Sequence, residues 1–408
     1  MRRRIVSING GTNHRWRDKY IARRTDFVER NRPSLERATI MASKTGIKSL
    51  LPADAEDRLE EEIRSFFNGR DLEIYRMMAW QLGQTDDPGS EAPSPQDRRL
   101  HGTLLLAVAQ ALHNDYALGL KYALSVELMH NFGLIHGDVQ DGNTERLGRA
   151  SVWWKWGPSQ AINTGDGMHA MARLSLFRLC DIGEPLERVS TALEIVDDAT
   201  LQRCEGEFLD VSYQERTNVG VEDYIDMIEK RVGSLYGAAA ELPAILRDDG
   251  QNEKRIALRK FGINIGVVKQ LVADYQSIFG AGDRDPVQQG RIISKKKNLA
   301  MAHLFEAVKD PSILRRAGEM YMQRVIDPSK ISELTQLSID AGGEAFNLAQ
   351  IERHLDIAKS ALSEAEFEVD RAEELMEFAR DIGDVDKLND LESAPSINRG
   401  NELGRSTP

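Results

Sequence analysis

Apolar side chains recur every three or four residues over most of this chain, which is the spacing of amphipathic α-helices. One run over 57–67 places Leu59, Ile63, Phe66 and Phe67 on a single face. Other runs predict helices over 98–112, from 126 onward, over 168–211 and over 345–382. Strand-like alternation of apolar and polar residues is scarce, so the pattern predicts a mostly helical protein.

One segment interrupts this pattern between residues 85 and 97. Its sequence, TDDPGSEAPSPQD, is rich in Pro, Gly, Ser and Asp, which indicates an exposed loop. We therefore predict four regions: a flexible basic arm at 1–34, N-terminal helices and a linker at 35–97, a helical core at 98–383, and a disordered polar tail at 384–408.

Composition narrows the class of protein. The 408 residues are 41% hydrophobic, which is enough for a large core. The formal net charge of -12 argues against nucleic-acid binding, because neutralising phosphates takes clustered Lys and Arg. No apolar run approaches the ~20 residues that span a bilayer, and the basic N-terminus lacks an apolar signal core. We therefore expect a soluble, cytoplasmic protein without a transmembrane segment.

Chemistry is concentrated in the segment 126–148, VELMHNFGLIHGDVQDGNTERLG. Its apolar helical run leads into Asp138 and Asp141, which are three residues apart and therefore share a helix face. Arg146 follows them. Paired carboxylates and an arginine at the end of an apolar helix are suited to holding a polyanion, through a metal ion, at the rim of an apolar pocket.

This segment resembles the first aspartate-rich motif of the trans-prenyl diphosphate synthases, which reads roughly V-E-x-x-H-x-x-S-L-I-H-D-D-x-x-D-x-x-x-x-R-R-G. The positions in register are Glu127, His130, Leu134, Ile135, His136, Asp138, Asp141, Arg146 and Gly148. There are two departures. Gly137 stands at the first aspartate, and Leu147 stands at the second arginine.

The resemblance continues in order and spacing to about residue 380 and implies further roles. The family's G-K-R-x-R-P sequence, which holds isopentenyl diphosphate, corresponds to Arg98, Arg99 and His101. Lys230 matches a lysine that contacts the allylic diphosphate, and Lys296 falls near the lysine of G-K-x-T-L-P. For Arg98, His101 and Lys296, a solvated basic segment explains the sequence about equally well.

Acidic positions elsewhere are altered. The second motif, F-Q-x-x-D-D-x-x-D, corresponds to Gln270 and Asp274, but Ala273 and Ser277 replace two of its aspartates. In the family's E-G-Q-x-x-D, Glu207 replaces the glutamine, which suggests a relocated metal ligand; a solvated glutamate is the alternative. The implied metal ligands are Asp138, Asp141, Asp274 and Glu207. The implied catalytic residues are Asp138, Asp141, Lys230 and Asp274. The implied diphosphate-binding residues are Arg98, Arg99, His101, His130, Arg146, Lys230, Gln270 and Lys296.

The resemblance also implies an architecture and a ligand. It implies the all-α isoprenoid-synthase bundle around a central cavity, Mg²⁺ as cofactor, an allylic prenyl diphosphate as substrate, and a homodimer. Phe132, with the small Gly133 beside it, would floor the cavity and set a farnesyl- to geranylgeranyl-sized substrate.

Three functions stay open. The first, which the altered isopentenyl diphosphate positions favour, is a diverged terpene synthase or prenyltransferase that ionises one allylic diphosphate. The second is a chain-elongating prenyl diphosphate synthase that uses isopentenyl diphosphate. The third is a catalytically silent subunit that modulates an active synthase.

Overall fold

The computed structural model describes residues 50–85, 99–216, 219–247, 252–280, 286–385 and Leu388. The predicted basic arm, Arg98 and most of the predicted tail lie outside these residues. Within the described part, the helices are α1 (Ala55–Phe66), α2 (Glu73–Gln81), α3 (Leu100–His113), α4 (Leu120–Asp141), α5 (Val152–Trp156), α6 (Pro158–Phe177), α7 (Leu186–Tyr213), α8 (Val221–Ile228), α9 (Ser234–Glu241), α10 (Asn252–Phe279), α11 (Pro286–Ile293), α12 (Leu299–Ala307), α13 (Pro311–Tyr321), α14 (Ile331–Asp340), α15 (Gly343–Glu364) and α16 (Val369–Ile382).

Shorter elements join these helices. A π-helical turn, Glu229–Gly233, continues α8 into α9. One antiparallel hairpin, β1 (Glu145–Arg146) and β2 (Arg149–Ala150), pairs Glu145 with Ala150 and Arg146 with Arg149. The remaining short helical turns are 3₁₀ turns at Tyr116–Gly119, Arg178–Ile182, Leu242–Ile245 and Pro328–Lys330. The prediction of an all-α bundle is confirmed.

Two tracts that were each predicted to be one continuous helix are each divided into two helices. The tract over 168–211 is split between α6 and α7, because Gly183 adopts φ +97° and Pro185 follows it. The tract over 345–382 is split between α15 and α16, where Glu366 adopts φ +58°. Val369, an apolar residue of that tract, is 70% exposed.

Helix α4 runs through the middle of the core and positions the candidate site. Its first four turns are nearly all buried, with Leu124 and Leu128 among the largest fully buried side chains. It ends at Gly142, which has φ +64° and donates its N–H to the carbonyl of Asp138. The helix therefore delivers Asp138 and Asp141 together at the edge of the core.

Small residues bring α9 and α10 into close contact. A Cβ at Gly262 would overlap the backbone of Tyr236, and a Cβ at Gly266 would lie 2.8 Å from the Cα of Gly233. The small-residue run that the sequence places at 233–240 therefore serves tight helix packing. In the part of the chain that the structure describes, no helix is long and apolar enough to cross a membrane.

Candidate active site

Asp138 lies in the last turn of α4 with 1% of its side chain exposed. The β1–β2 hairpin folds back over this turn and brings Arg146 to the carboxylate. Arg146 donates from Nε to Oδ2 at 3.0 Å and from Nη2 to Oδ1 at 2.6 Å, and Asn143 donates to Oδ1 at 3.2 Å. Burial raises the pKa of Asp138, although these bonds oppose the shift. Asp138 and Arg146 thus fasten the hairpin to the helix.

Four charged side chains from separate segments meet at the end of α4; we call Asp141, Asp210, Arg291 and Lys296 the ionic cluster. The Lys296 Nζ atom lies 2.6 Å from Oδ1 of Asp141 and 2.7 Å from Oδ2 of Asp210. The Nη2 atom of Arg291 lies 3.3 Å from Oδ1 of Asp210, and its Nη1 atom lies 3.9 Å from Oδ2 of Asp141. Two cations therefore bridge two carboxylates, one from α4 and one from α7.

Exposure is uneven within the ionic cluster. The side chains of Asp210 and Lys296 are 0% and 2% exposed, whereas that of Asp141 is 17% exposed. Burial by itself raises the pKa of Asp210, but the charges of Arg291, Arg231 and Lys296 outweigh it and hold that pKa far below its usual value. Burial by itself lowers the pKa of Arg291, but the negative charges of Asp210 and Asp141 outweigh it and raise that pKa above its usual value. Both groups are therefore charged at neutral pH.

Arg231 reaches this region because of a glycine and a π-turn. It lies in the turn Glu229–Gly233, whose backbone passes so close to α7 that a Cβ at Gly206 would overlap Arg231. The Nη2 atom of Arg231 donates to Oε1 of Gln270 at 2.8 Å. Gly206 therefore allows the turn to set a further guanidinium beside α7 and α10.

Asp274 is buried in α10, with 3% of the residue exposed, and both of its oxygens accept hydrogen bonds. Oδ2 accepts from the Tyr224 hydroxyl at 2.5 Å and from the Leu299 N–H at 2.9 Å, and Oδ1 accepts from Nε2 of Gln270 at 2.8 Å. Burial raises the pKa of Asp274. This carboxylate ties α8, α10 and α12 together.

Glu207 and Gly133 lie beside Arg203, whereas Phe132 lies against two histidines. Arg203 Nη2 is 3.5 Å from Oε1 of Glu207, and its guanidinium fills the notch left by Gly133, where a Cβ would overlap it. Burial lowers the pKa of Arg203. The ring of Phe132 packs between imidazoles, 4.8 Å from His136 and 5.3 Å from His169. The Arg203 guanidinium therefore occupies the space beside Gly133.

Lys230 and Arg99, two other predicted cations that the structure describes, pair with acids outside the ionic cluster. Lys230 lies 2.8 Å from Oδ2 of Asp226 and is 32% exposed; this hydrogen bond raises the pKa of Lys230. Arg99 is buried, and it contacts Oε1 of Glu60 and donates to the Leu82 carbonyl, each at 2.6 Å. Arg99 therefore holds the N-terminal helices against the core.

His101 is stacked inside the bundle. Its ring centroid lies 4.2 Å from that of His130 and 4.0 Å from that of Tyr236. Among the described residues its Nδ1 has no hydrogen-bond partner. Burial, and then the neighbouring His130, lower the pKa of His101 well below its usual value. Burial therefore disfavours the positive charge that His101 would need to hold a diphosphate.

The carboxylates that the sequence proposed for Mg²⁺ do not fit the ion. Mg²⁺ requires near-octahedral oxygen ligands at about 2.1 Å, but both oxygens of Asp138 and of Asp274 are engaged by donors of the protein. Asp141 lies against Lys296, and Glu207 lies near Arg203. In the described ranges, no group of three or more His, Cys, Asp or Glu side chains is placed to hold a metal ion.

Two of the three positions that lost acids, Gly137 and Ala273, differ in their surroundings. A Cβ at Gly137 would meet no described atom within 4 Å. An aspartate would therefore have room there, one helical turn before Asp141 and on the same face. Ala273 is half-buried in α10, next to Asp274.

Sequence reasoning missed three residues of this site. Asp210 was visible as the last acid of the segment Glu205–Asp210, three residues after Glu207, a spacing that places both on one helix face. Arg203 is four residues before Glu207, a spacing that predicts an ion pair on a helix. Arg291 gave no signal, because its contact with Asp210 joins residues 81 positions apart.

The chain is similar to known proteins in sequence and in fold. The sequence profile of the Polyprenyl synthetase family matches residues 85–337. The geranylgeranyl pyrophosphate synthase of Geoglobus acetivorans is 32% identical over 210 residues, which cover 51% of this chain and 64% of that relative. The match therefore spans less than two thirds of the relative's length.

Other comparisons cover more of the chain. The (2E,6E)-farnesyl diphosphate synthase of Mycobacterium tuberculosis (strain CDC 1551 / Oshkosh) is 27% identical over 307 residues, covering 74% of this chain and 83% of that relative. The crystal structure of a polyprenyl synthetase from Streptomyces coelicolor A3(2) superposes with a TM-score of 0.69 at 23% identity, covering 80% of this chain and 97% of that one. This likeness establishes the fold.

Proposed function

The chain belongs to the polyprenyl synthetase family, and on that premise we propose that it acts on one allylic prenyl diphosphate, as a diverged prenyltransferase or terpene synthase. Isopentenyl diphosphate is not its second substrate. We take the allylic substrate to be of farnesyl to geranylgeranyl size, as the names of the relatives suggest.

The observation that carries this proposal is the state of the residues matched to the isopentenyl diphosphate site. Arg99 is buried against Glu60 and the Leu82 carbonyl. His101 is buried, stacked and neutral. Leu147 has no charge and is 49% exposed at φ +50° in the hairpin. Since a diphosphate is held by charge-assisted hydrogen bonds, these three positions are poorly suited to hold a second one.

The site that we propose for the allylic diphosphate, in contrast, contains several cations. Lys296 and Arg291 lie in the ionic cluster, and Arg231 lies beside it. Departure of a diphosphate places negative charge on its oxygens, and cations fixed beforehand stabilise that charge without reorganising. In this reaction Lys296 and Arg291 hold the leaving group, and Asp210 orients both cations.

Magnesium is the cofactor that the family resemblance suggests. In the enzymes that use it, the ion neutralises the diphosphate and draws charge from the breaking bond. The described carboxylates do not converge on a site for it, so we assign no step to the metal here.

We further propose that the protein is a cytoplasmic homodimer. Two exposed apolar stripes support a self-association face. One consists of Leu201, Phe208 and Val211 on α7, which are 61%, 71% and 46% exposed and recur at helical spacing. The other consists of Leu174 and Phe177 on α6, 47% and 55% exposed. Clustered apolar surface of this kind marks protein interfaces.

Product analysis tests the proposed function. Purified protein is incubated with geranyl, farnesyl or geranylgeranyl diphosphate, each with and without isopentenyl diphosphate, and both diphosphate release and organic products are followed. We expect diphosphate release from one allylic substrate without isopentenyl diphosphate, together with an alcohol or hydrocarbon product. A product lengthened by five carbons would contradict the proposal and support chain elongation.

The hydrogen bonds that Asp138 and Asp274 accept from the protein favour one other candidate function. In it, the chain is a catalytically silent subunit that binds and modulates an active synthase. Both oxygens of Asp138 and of Asp274 accept hydrogen bonds from protein donors, which favours a structural role for these two carboxylates. This candidate predicts no diphosphate release from any allylic substrate alone. It also predicts that adding the protein to an active synthase of the same cell changes that enzyme's product or rate.

A further inference from the structure

We propose that Lys296 and Arg291 are built-in substitutes for the metal ions of the site, so that this protein binds diphosphate without a divalent cation. The inference rests on the proposed function, because it names how that same site neutralises its ligand. It differs from the function that the family resemblance implies, in which carboxylates hold the diphosphate through Mg²⁺.

The geometry of Lys296 is the first support. Its ammonium lies 2.6 Å and 2.7 Å from carboxylates on two different helices, so one positive charge bridges α4 and α7. A divalent ion that bridged Asp141 and Asp210 would have to occupy the same space. Because Lys296 is 2% exposed and bonded on both sides, an ion could enter only by expelling it.

Arg291 provides the second support. It lies 3.3 Å from Oδ1 of Asp210 and 3.9 Å from Oδ2 of Asp141, so the two acids already face two positive charges. The cluster is balanced at two negative and two positive charges. A divalent cation arriving there would be repelled by both bases and would find no uncompensated carboxylate.

Acids are lost at three other positions. Gly137, Ala273 and Ser277 stand where the resembled motifs have aspartates, and Asp138 and Asp274 have both oxygens engaged. Among the described residues, no third carboxylate is placed to complete a coordination shell around Asp141 and Asp210. The site has therefore lost acids, and the acids that remain at Asp141 and Asp210 are paired with Lys296 and Arg291.

An anion has a route into this cluster through Asp141. Asp141 is 17% exposed, whereas Asp210 is 0% exposed. A diphosphate approaching from solvent therefore competes with Asp141 for Lys296 and Arg291, while Asp210 keeps both cations in place. Asp141 acts in this account as a competitor of the ligand. As a metal ligand it would instead be required for binding.

This difference gives opposite predictions for one substitution. Binding of inorganic pyrophosphate and of farnesyl diphosphate is measured by calorimetry in EDTA and again in excess Mg²⁺. We expect wild-type protein to bind in EDTA as tightly as in Mg²⁺ or more tightly. Asp141→Asn should bind about tenfold more tightly in EDTA, because the competing charge is removed. A metal-dependent site predicts that Asp141→Asn binds more weakly.

Removal of the bridging lysine is the second arm. Lys296→Met should weaken pyrophosphate binding about thirtyfold or more, since it deletes one partner of a buried charge pair. Lys295→Met is the matched control, because Lys295 is the neighbouring lysine and contacts the 83% exposed Glu215. We expect the control to change affinity less than about threefold.

The outcomes separate this inference from the proposed function. Binding that appears in Mg²⁺ and vanishes in EDTA would overturn the built-in cations and leave the proposed function standing. Absence of binding under both conditions would overturn both. Wild-type protein alone decides between these outcomes, so the test does not depend on whether Lys296→Met folds.

Discussion

The stability of the ionic cluster can be tested independently of any ligand by removing Lys296. Lys296→Met keeps an unbranched side chain that is one atom shorter and deletes the charge, which leaves the fully buried Asp210 to Arg291 and the more distant Arg231. Breaking a buried ion pair on one side costs about 3–5 kcal/mol. Because Arg291 still lies 3.3 Å away, we expect the loss at the lower end, about 3 kcal/mol.

Urea unfolding followed by far-UV circular dichroism at pH 7 measures this loss, as the shift in midpoint multiplied by the slope. Asp210→Asn and the double variant complete a cycle. Asparagine at 210 removes the buried negative charge that Lys296→Met leaves without this partner. The double variant should therefore lose about 1–3 kcal/mol less than the two single losses added together. Lys295→Met should cost less than about 1 kcal/mol, because its partner Glu215 is exposed.

Two results would refute this reasoning. A loss below about 1 kcal/mol for Lys296→Met would show that the lysine is held no more strongly than a surface ion pair. Additive losses in the double variant would show that Lys296 and Asp210 are not energetically coupled. Either result would also remove the reason for calling Lys296 a fixed cation.

Three further predictions concern other parts of the chain. Gly137→Asp should change the unfolding free energy, measured in urea, by less than about 1 kcal/mol, because the new side chain enters open space. The same variant should bind pyrophosphate without any dependence on Mg²⁺. A gain of Mg²⁺ dependence would contradict the proposal that Lys296 and Arg291 replace the metal ions. Burial lowers the pKa of His354 to about 4, so the contribution of the neutral imidazole to the unfolding free energy is fully present above pH 6.5 and is lost as the pH falls toward 4. Between pH 7 and pH 5 the unfolding free energy of the wild type should therefore fall by about 2 kcal/mol more than that of His354→Gln. His136→Gln is the control, and equal losses in the wild type and His354→Gln would contradict the assignment. Phe208→Glu should raise the dimer dissociation constant at least about thirtyfold in sedimentation experiments, whereas Val369→Glu, at an equally exposed apolar residue on α16, should not.

The helices could be predicted because their signals are local. Leu59 and Ile63 recur at helical spacing and are both buried in α1. The end of α4 is marked by Gly142, which adopts the left-handed conformation that favours glycine. The break between α6 and α7 was also readable, since Gly183 and Pro185 end a helix. The break at Glu366 was not, because that residue type carries no signal for a positive φ.

The site could be predicted less well, because its contacts are not local. Spacing places Asp138 and Asp141 on one helix face, but it cannot show that a hairpin returns Arg146 to Asp138. The role of Arg291 depends on Asp210, which is 81 residues away. Charge compensation between distant segments leaves no periodic pattern in a single sequence, and so the acids appeared available when they were not.

The altered residues of the site make electrostatic sense only when they are considered together. With aspartates at 137, 273 and 277, the resembled site would carry an excess of negative charge, which divalent ions could offset. Gly137, Ala273 and Ser277 remove that excess, and Lys296 and Arg291 balance the two acids of the ionic cluster. Restoring one aspartate would leave both bases in place, and since a cation is repelled by them, it would not restore a metal site. Because acids lost and bases present compensate one another, this part of the chain forms one coupled unit. Its chemistry can be reversed only by changing both sets of residues.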